Sequence, residues 1–163
     1  EIGRMVEDIN AVYFEEPCPF DHLEDTKIVT ETLDLPVSGG EQEASDRRFR
    51  WMIQHGAVNI VQPDLHYYGG LIRSARVSRM AALADMPTTV HISGGMGFVY
   101  MLIFTSFTPD IGRYQEYKRG IEKVADLFSP ALKIENAQMS VPQGPGTGIT
   151  DFSTFVDGTE IVE

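Results

Sequence analysis

Glu15, Glu41, Asp64, His91 and Glu116 recur along the chain at gaps of 26, 23, 27 and 25 residues. Each closes a short run that is largely apolar, as in Val12-Tyr13-Phe14-Glu15, Ile60-Val61-Gln62-Pro63-Asp64 and Thr88-Thr89-Val90-His91. Hard divalent cations take oxygen donors, and carboxylates gathered at one place repel one another unless a cation neutralises them. An aspartate that accepts from one imidazole nitrogen fixes the ring's tautomer and raises the basicity of the other nitrogen. Brought together, the five residues would form a metal-assisted acid–base site. Glu15 and Glu41 are its candidate metal ligands, and Asp64 and His91 its candidate dyad. Glu16 points to the other side of the strand from Glu15 and competes for the same role.

An isolated glutamate is most often a solvated surface charge, and a lone histidine most often a structural residue. The shared setting at the ends of apolar runs sets these five apart. His22, His55 and His66 lack it. His55, beside Gly56, reads as a helix-end or surface residue, and His66 lies in the Asp64-Leu65-His66-Tyr67-Tyr68 loop, within reach of a substrate. Cys18 is the single cysteine. It cannot form an internal disulfide, which points to a reducing cytoplasm, and it reads as a buried, inert thiol.

Even spacing implies repeating elements that carry these groups to one place. A strand, a turn and a returning helix need roughly 25–30 residues, the observed interval. Helices are expected from about residue 21 to 33, from a cap at Ser45 or Asp46 to Gly56, after Gly69-Gly70, and from about 98 to 107. In the third, Ile72, Ala75, Met80 and Leu83 are expected to face inward. The fourth is apolar nearly all round, as a buried or interfacial helix would be. A further helix opens the chain, with Ile2, Met5, Val6 and Ile9 on one face. The strand runs are short and β-branched, as strands buried on both faces should be, and Pro17 and Pro63 would end two of their ladders. From Leu132 a hairpin around Asn136 is expected, followed by a turn-rich loop from Pro142 to Gly148.

Five βα-like units make the class α/β. The pattern alone allows either a barrel or an open doubly wound sheet. Functional groups at nearly every strand end favour the barrel, because an open sheet gathers its site at one switch point. Five units are too few to close an eight-stranded barrel, so the chain is expected to associate with further units or with another copy.

The net charge of −11 over 163 residues offers no basic patch for a nucleic acid. No apolar run approaches the roughly 20 residues of a membrane helix. These features argue against a nucleic-acid partner and against a membrane-spanning helix.

The ordered set Tyr13-Phe14-Glu15-Glu16-Pro17, Gly40-Glu41, Gln62-Pro63-Asp64 with Gly69-Gly70, Val90-His91-Ile92-Ser93-Gly94 and Tyr114-Gln115-Glu116 resembles the enolase superfamily, most closely its mandelate racemase-like subgroup. The tail, with Met139-Ser140-Val141-Pro142 and Pro145-Gly146-Thr147-Gly148, is similar to the close of that family's barrel domain. The resemblance implies the C-terminal part of a modified TIM barrel, (β/α)7β, with about five barrel strands present. Residues 1–131 would be βα units and 132–163 the closing hairpin and tail. In the family's order a capping domain, the first metal ligand and a lysine-bearing strand would precede Glu1. Glu15 and Glu41 would be the second and third ligands of a Mg²⁺ ion, Glu15 rather than Glu16 because the family's Glu-X-Pro motif places the ligand first. Asp64 and His91 would be the acid–base dyad, and Glu116 the acid that hydrogen-bonds the substrate carboxylate. The implied reaction is dehydration of a sugar acid through an enediolate. Racemisation, epimerisation or cycloisomerisation of a carboxylate is the alternative within enzymes. A non-catalytic barrel part that only associates is the alternative outside them.

Overall fold

The computed structural model describes residues 1–92, 94, 96–125 and 128–151. Ser93 and the tail 152–163, both within the sequence expectations above, lie outside the described residues. The elements in order are α1 (Ile2–Asp8), β1 (Phe14–Glu15), α2 (Leu23–Thr32), β2 (Val37–Gly39), α3 (Asp46–Gln54), β3 (Ile60–Val61), α4 (Leu71–Ala82), α5 (Gly97–Phe107), α6 (Ile121–Ala125), β4 (Ile134–Glu135) and β5 (Gln138–Met139).

β1, β2 and β3 pair in chain order and in parallel, Glu15 opposite Ser38 and Ser38 opposite Ile60. Parallel bridges carry the arc onward: Val61 to Thr88, Asp64 to His91, and Thr88 to Ile111. Each step is therefore a strand, a crossover and the neighbouring parallel strand, the repeating step of a βα barrel wall. Both expected proline stops hold, since β1 ends at Glu15 before Pro17 and β3 at Val61 before Pro63.

Alternation along the strands divides the groups. Val37 and Val61 are fully buried against Phe49, Met52 and Val77 of the α3 and α4 layer. Residues one position on, including Glu15 and Ser38, share the opposite face. Val90 and Ile92 join a second core built around α5, with Phe98, Val99, Leu102 and Phe104. The apolar α5 is thus occupied within the chain.

Three local expectations change. In α4 the inward face is Ser74, Ala75, Val77, Ser78 and Ala81, whereas Ile72 and Leu83 are exposed. Small residues let this helix lie close to its neighbours, and the Ser78 hydroxyl donates to Pro109 O at 3.4 Å. Ser45 precedes α3 but makes no side-chain cap bond. The buried Glu43 instead holds the turn that leads into the helix, its Oε1 accepting from the Ala44 and Ser45 amides at 3.0 and 3.2 Å. In α1 the apolar stripe exists, but Ile2, Met5 and Ile9 face outward on the side of the edge strand β1. A cavity of about 460 Å³ lined by Ile2, Phe14, Pro17, Val29 and Leu33 opens there.

β4 and β5 form the expected antiparallel hairpin. Its two turn residues, Asn136 and Ala137, have φ of 53° and 57°, the left-handed pair that matches the twist of a two-residue hairpin. Cys18 is half-buried and free. Among the described residues, no helix is long and apolar enough to cross a membrane.

Candidate active site

The site forms where parallel strands end. Asp64 follows the Pro63 stop and turns the chain back on itself. Its Oδ1 accepts from the His66 and Tyr67 amides at 2.6 and 2.8 Å, and its side chain is fully buried. Its Oδ2 lies 2.5 Å from His91 Nδ1, on the adjacent strand position. A buried carboxylate committed to two amide donors is an acceptor, so Nδ1 carries the proton and Nε2 presents a lone pair. This is the tautomer a general base needs.

His91 Nε2 faces three further groups. Glu41 Oε2 is 3.5 Å away, Glu116 Oε2 3.9 Å and Lys118 Nζ 2.8 Å. Glu116 is oriented by its neighbours: Ile92 N–H donates to Oε2 at 2.8 Å, and Lys118 Nζ lies 3.5 Å from Oε1. Glu15 is exposed on the edge strand, yet its carboxyl is raised from the ordinary value. Partial desolvation is the largest cause, followed by repulsion from Glu41 and then Glu116, and a hydrogen bond shared with Glu41 adds to these. The Gln62 amide, donating to Glu15 Oε1 at 3.1 Å, works in the opposite direction. The structure therefore brings all five sequence-predicted residues to one mouth. Glu16 turns elsewhere, with φ of 41° and an acceptor bond from Gln42 Nε2 at 3.3 Å.

Gly39-Gly40 delivers Glu41 to this mouth. Gly40 has φ of 118°, and a Cβ there would stand 2.7 Å from Phe49 Cε1. Only glycine meets both demands, the left-handed backbone and contact with the buried ring.

Lys118 and Gln62 were not among the sequence candidates. Both carry a readable signal. Lys118 lies two residues beyond Glu116, and Gln62 two residues before Asp64, the interval that puts two side chains on one face of an extended chain. His66 reaches Asp64 through its amide, and its ring packs edge-on to Tyr100 at 5.9 Å. His55 caps α3 and stacks on Trp51 at 4.4 Å, away from the site. A cavity of about 380 Å³ adjoins Glu116 between α5 and the hairpin, lined by Phe98, Arg113, Tyr114 and Met139 among others.

Among the described residues, no three His, Cys, Asp or Glu side chains are grouped to hold a metal between them. Glu15 and Glu41 form a carboxylate pair, whose repulsion adds to the desolvation that raises Glu15. Such a pair fits one side of a Mg²⁺ ion, which commonly takes one or two protein carboxylates and keeps other positions for water or substrate.

A parallel βα wall with acids and a hydrogen-bonded Asp–His pair at its strand ends defines a piece of a TIM-barrel domain. The chain belongs to the enolase C-terminal domain-like family, whose model matches residues 1–151, and so to the enolase superfamily. It is 27% identical over 150 residues to arabinonate dehydratase of Saccharolobus solfataricus, covering 92% of this chain and 40% of that protein. A proposed racemase from Roseobacter denitrificans superposes with a TM-score of 0.87 at 33% identity, covering 98% of this chain and 45% of the other. L-talarate dehydratase of Polaromonas sp. JS666, solved with Mg and L-glucarate, superposes with a TM-score of 0.74 at 25% identity, covering 91% and 39%. The chain thus spans between 30% and 40% of the length of curated relatives it matches.

Proposed function

We propose that this chain carries the acid–base part of a Mg²⁺-dependent sugar-acid dehydratase. The observation that carries the reading is the Asp64–His91 bond of 2.5 Å, which leaves Nε2 turned toward Glu41 and Glu116. The named relatives, arabinonate dehydratase and L-talarate dehydratase, support the substrate class.

A proton alpha to a carboxylate is very weakly acidic, so the enediolate must be stabilised as it forms. Glu15 and Glu41 would hold the Mg²⁺ ion, which supplies positive charge to offset the developing negative charge on the carboxylate. His91 Nε2 takes the α proton, and Asp64 holds the ring in register and stabilises the imidazolium. Glu116, its Oε2 held by the Ile92 amide, would hydrogen-bond the substrate carboxylate. The C3–O bond then breaks, and the hydroxyl takes one proton from the acid–base groups of the site and leaves as water. The enol product tautomerises to a 2-keto-3-deoxy acid.

Preceding βα units would close the barrel against the outer edge of β1, where the 460 Å³ cavity and the exposed α1 stripe lie. Racemisation needs a second base on the opposite face of the substrate, and Lys118, 2.8 Å from His91 Nε2, is on the same side. For the associating-only reading, the apolar α5 offers little support, because most of its apolar side chains pack within the chain.

The test is a screen of aldonic and aldaric acids with the intact protein and its His91→Asn variant, read as 2-keto-3-deoxy product. Turnover by the wild type and at least about a thousandfold loss in the variant is the expected result. Undiminished dehydration by the variant would sink the assignment.

A further inference from the structure

Lys118 is the feature that the five-residue site does not absorb. Its ammonium lies 2.8 Å from His91 Nε2 and 3.5 Å from Glu116 Oε1, and its side chain is 39% exposed. With Nδ1 committed to Asp64, Nε2 is an acceptor, so the ammonium donates to it. A half-exposed lysine is not needed to fill space there, and a purely structural partner for Glu116 would have no reason to sit on the lone pair of the proposed base.

We propose that Lys118 is a further catalytic residue, the acid that protonates the departing β-hydroxyl. This rests on the dehydratase reading above and deepens it. When substrate takes the Nε2 lone pair, the ammonium turns from the imidazole onto the adjacent C3 hydroxyl by rotation of its terminal bonds. The α C–H bond breaks and its proton goes to His91 Nε2. The C3–O bond breaks with its electron pair on oxygen, which takes one proton from Lys118 and leaves as water. The neutral Lys118 amine then recovers a proton from the His91 imidazolium, whose Nε2 is its hydrogen-bond partner. Both groups return to their starting states, and the net change is loss of one water with no oxidant or reductant. Two groups 2.8 Å apart act from one side of the substrate, so hydrogen and hydroxyl leave from the same face.

The proposal separates two steps that a role in positioning His91 would not separate. In the intact protein with Mg²⁺, the Lys118→Met variant is assayed in D2O for exchange of the substrate α proton and for dehydration. It is assayed also on the 3-fluoro analogue, whose fluoride leaves without a proton donor. Dehydration of the hydroxy acid is expected to fall about 10²–10⁴-fold, the usual worth of a positioned acid. Exchange and fluoride release are expected to stay within about threefold of wild type, and Lys118→Arg to remain impaired in dehydration alone. Loss of exchange in step with dehydration, equal loss of fluoride release, or no loss of dehydration would each overturn the role of Lys118 while leaving His91 as the base. Absence of both exchange and dehydration in the wild type, for every acid sugar tried, would overturn the dehydratase reading and this proposal with it.

Discussion

Replacing Asp64 separates its two duties, because its two oxygens do different work. Oδ1 holds the His66 and Tyr67 amides, and Oδ2 holds His91 Nδ1. Asp64→Ala leaves two part-buried amide donors without their acceptor. A fully buried donor costs about 1–3 kcal/mol, so a total loss of about 1–2 kcal/mol is expected for these partly solvated ones. Asp64→Asn keeps an oxygen for the two amides and should retain most of that stability. Its NH2, facing His91, makes Nδ1 an acceptor and moves the ring proton to Nε2. The base is then lost while the fold survives. A wrongly set tautomer lowers the rate by about 10³–10⁴-fold, or about 4–5.5 kcal/mol of transition-state stabilisation. Denaturant melts of the two variants, nitrogen-15 shifts of the His91 ring and dehydration rates in the intact protein check the three parts together. A folded Asp64→Asn protein within tenfold of wild-type activity would refute the assignment of Asp64 as the orienting partner. Equal stability losses in the two variants would refute the division of labour between its oxygens.

Calorimetry on the intact protein should show Mg²⁺ binding that Glu15→Gln or Glu41→Gln removes. Gln62→Leu, which leaves Glu15 without its amide donor, should weaken binding about 10–100-fold, and unchanged isotherms would count against this ligand pair. Gly40→Ala forces a left-handed φ on a residue whose Cβ meets the Phe49 ring. A loss of about 2–4 kcal/mol in denaturant melts is expected, and a neutral result would mean the loop re-forms. Asp46 is held below the usual carboxylate range, first by the Tyr68 hydroxyl and then by Arg73. Its folded value lies below its unfolded one, so its contribution is full above the unfolded value and is lost as pH falls through the folded value. Asp46→Asn should flatten that acid limb of stability, and identical limbs in the two proteins would contradict the shift. On the other side of the same bond, Tyr68 is pushed up to about 12 by burial and by Asp46.

The positions of the site were legible because strand-end spacing is a consequence of topology. Once each unit spans a strand, a turn and a helix, residues at equal phase must meet at one mouth, and Glu15, Glu41, Asp64, His91 and Glu116 do. Glycine and proline marked the joints for simple local reasons, as at Gly40 and Pro63. The inward face of α4 was less legible, because close helix packing selected Ser74, Ala75 and Ser78 over Ile72 and Leu83, and hydropathy cannot see interhelical distance. The cap of α3 was legible in position, since Ser45 is its N-cap residue, but not in bonding, since the Ser45 side chain makes no cap bond. Its amide is held instead by Glu43, which is buried beside Arg48, 2.5 Å away. Lys118 was passed over because a lone lysine in an acidic chain reads as solvated charge, and only the placement of His91 gives it meaning.

The claim that His91 removes the α proton is tested most directly with a sugar acid deuterated at the α carbon. The intact wild-type protein with Mg²⁺ should release the label to water as the 2-keto-3-deoxy acid forms, and His91→Asn should release none. Label appearing at C3 of the product through an internal shift, or release by His91→Asn at the wild-type rate, would contradict the account.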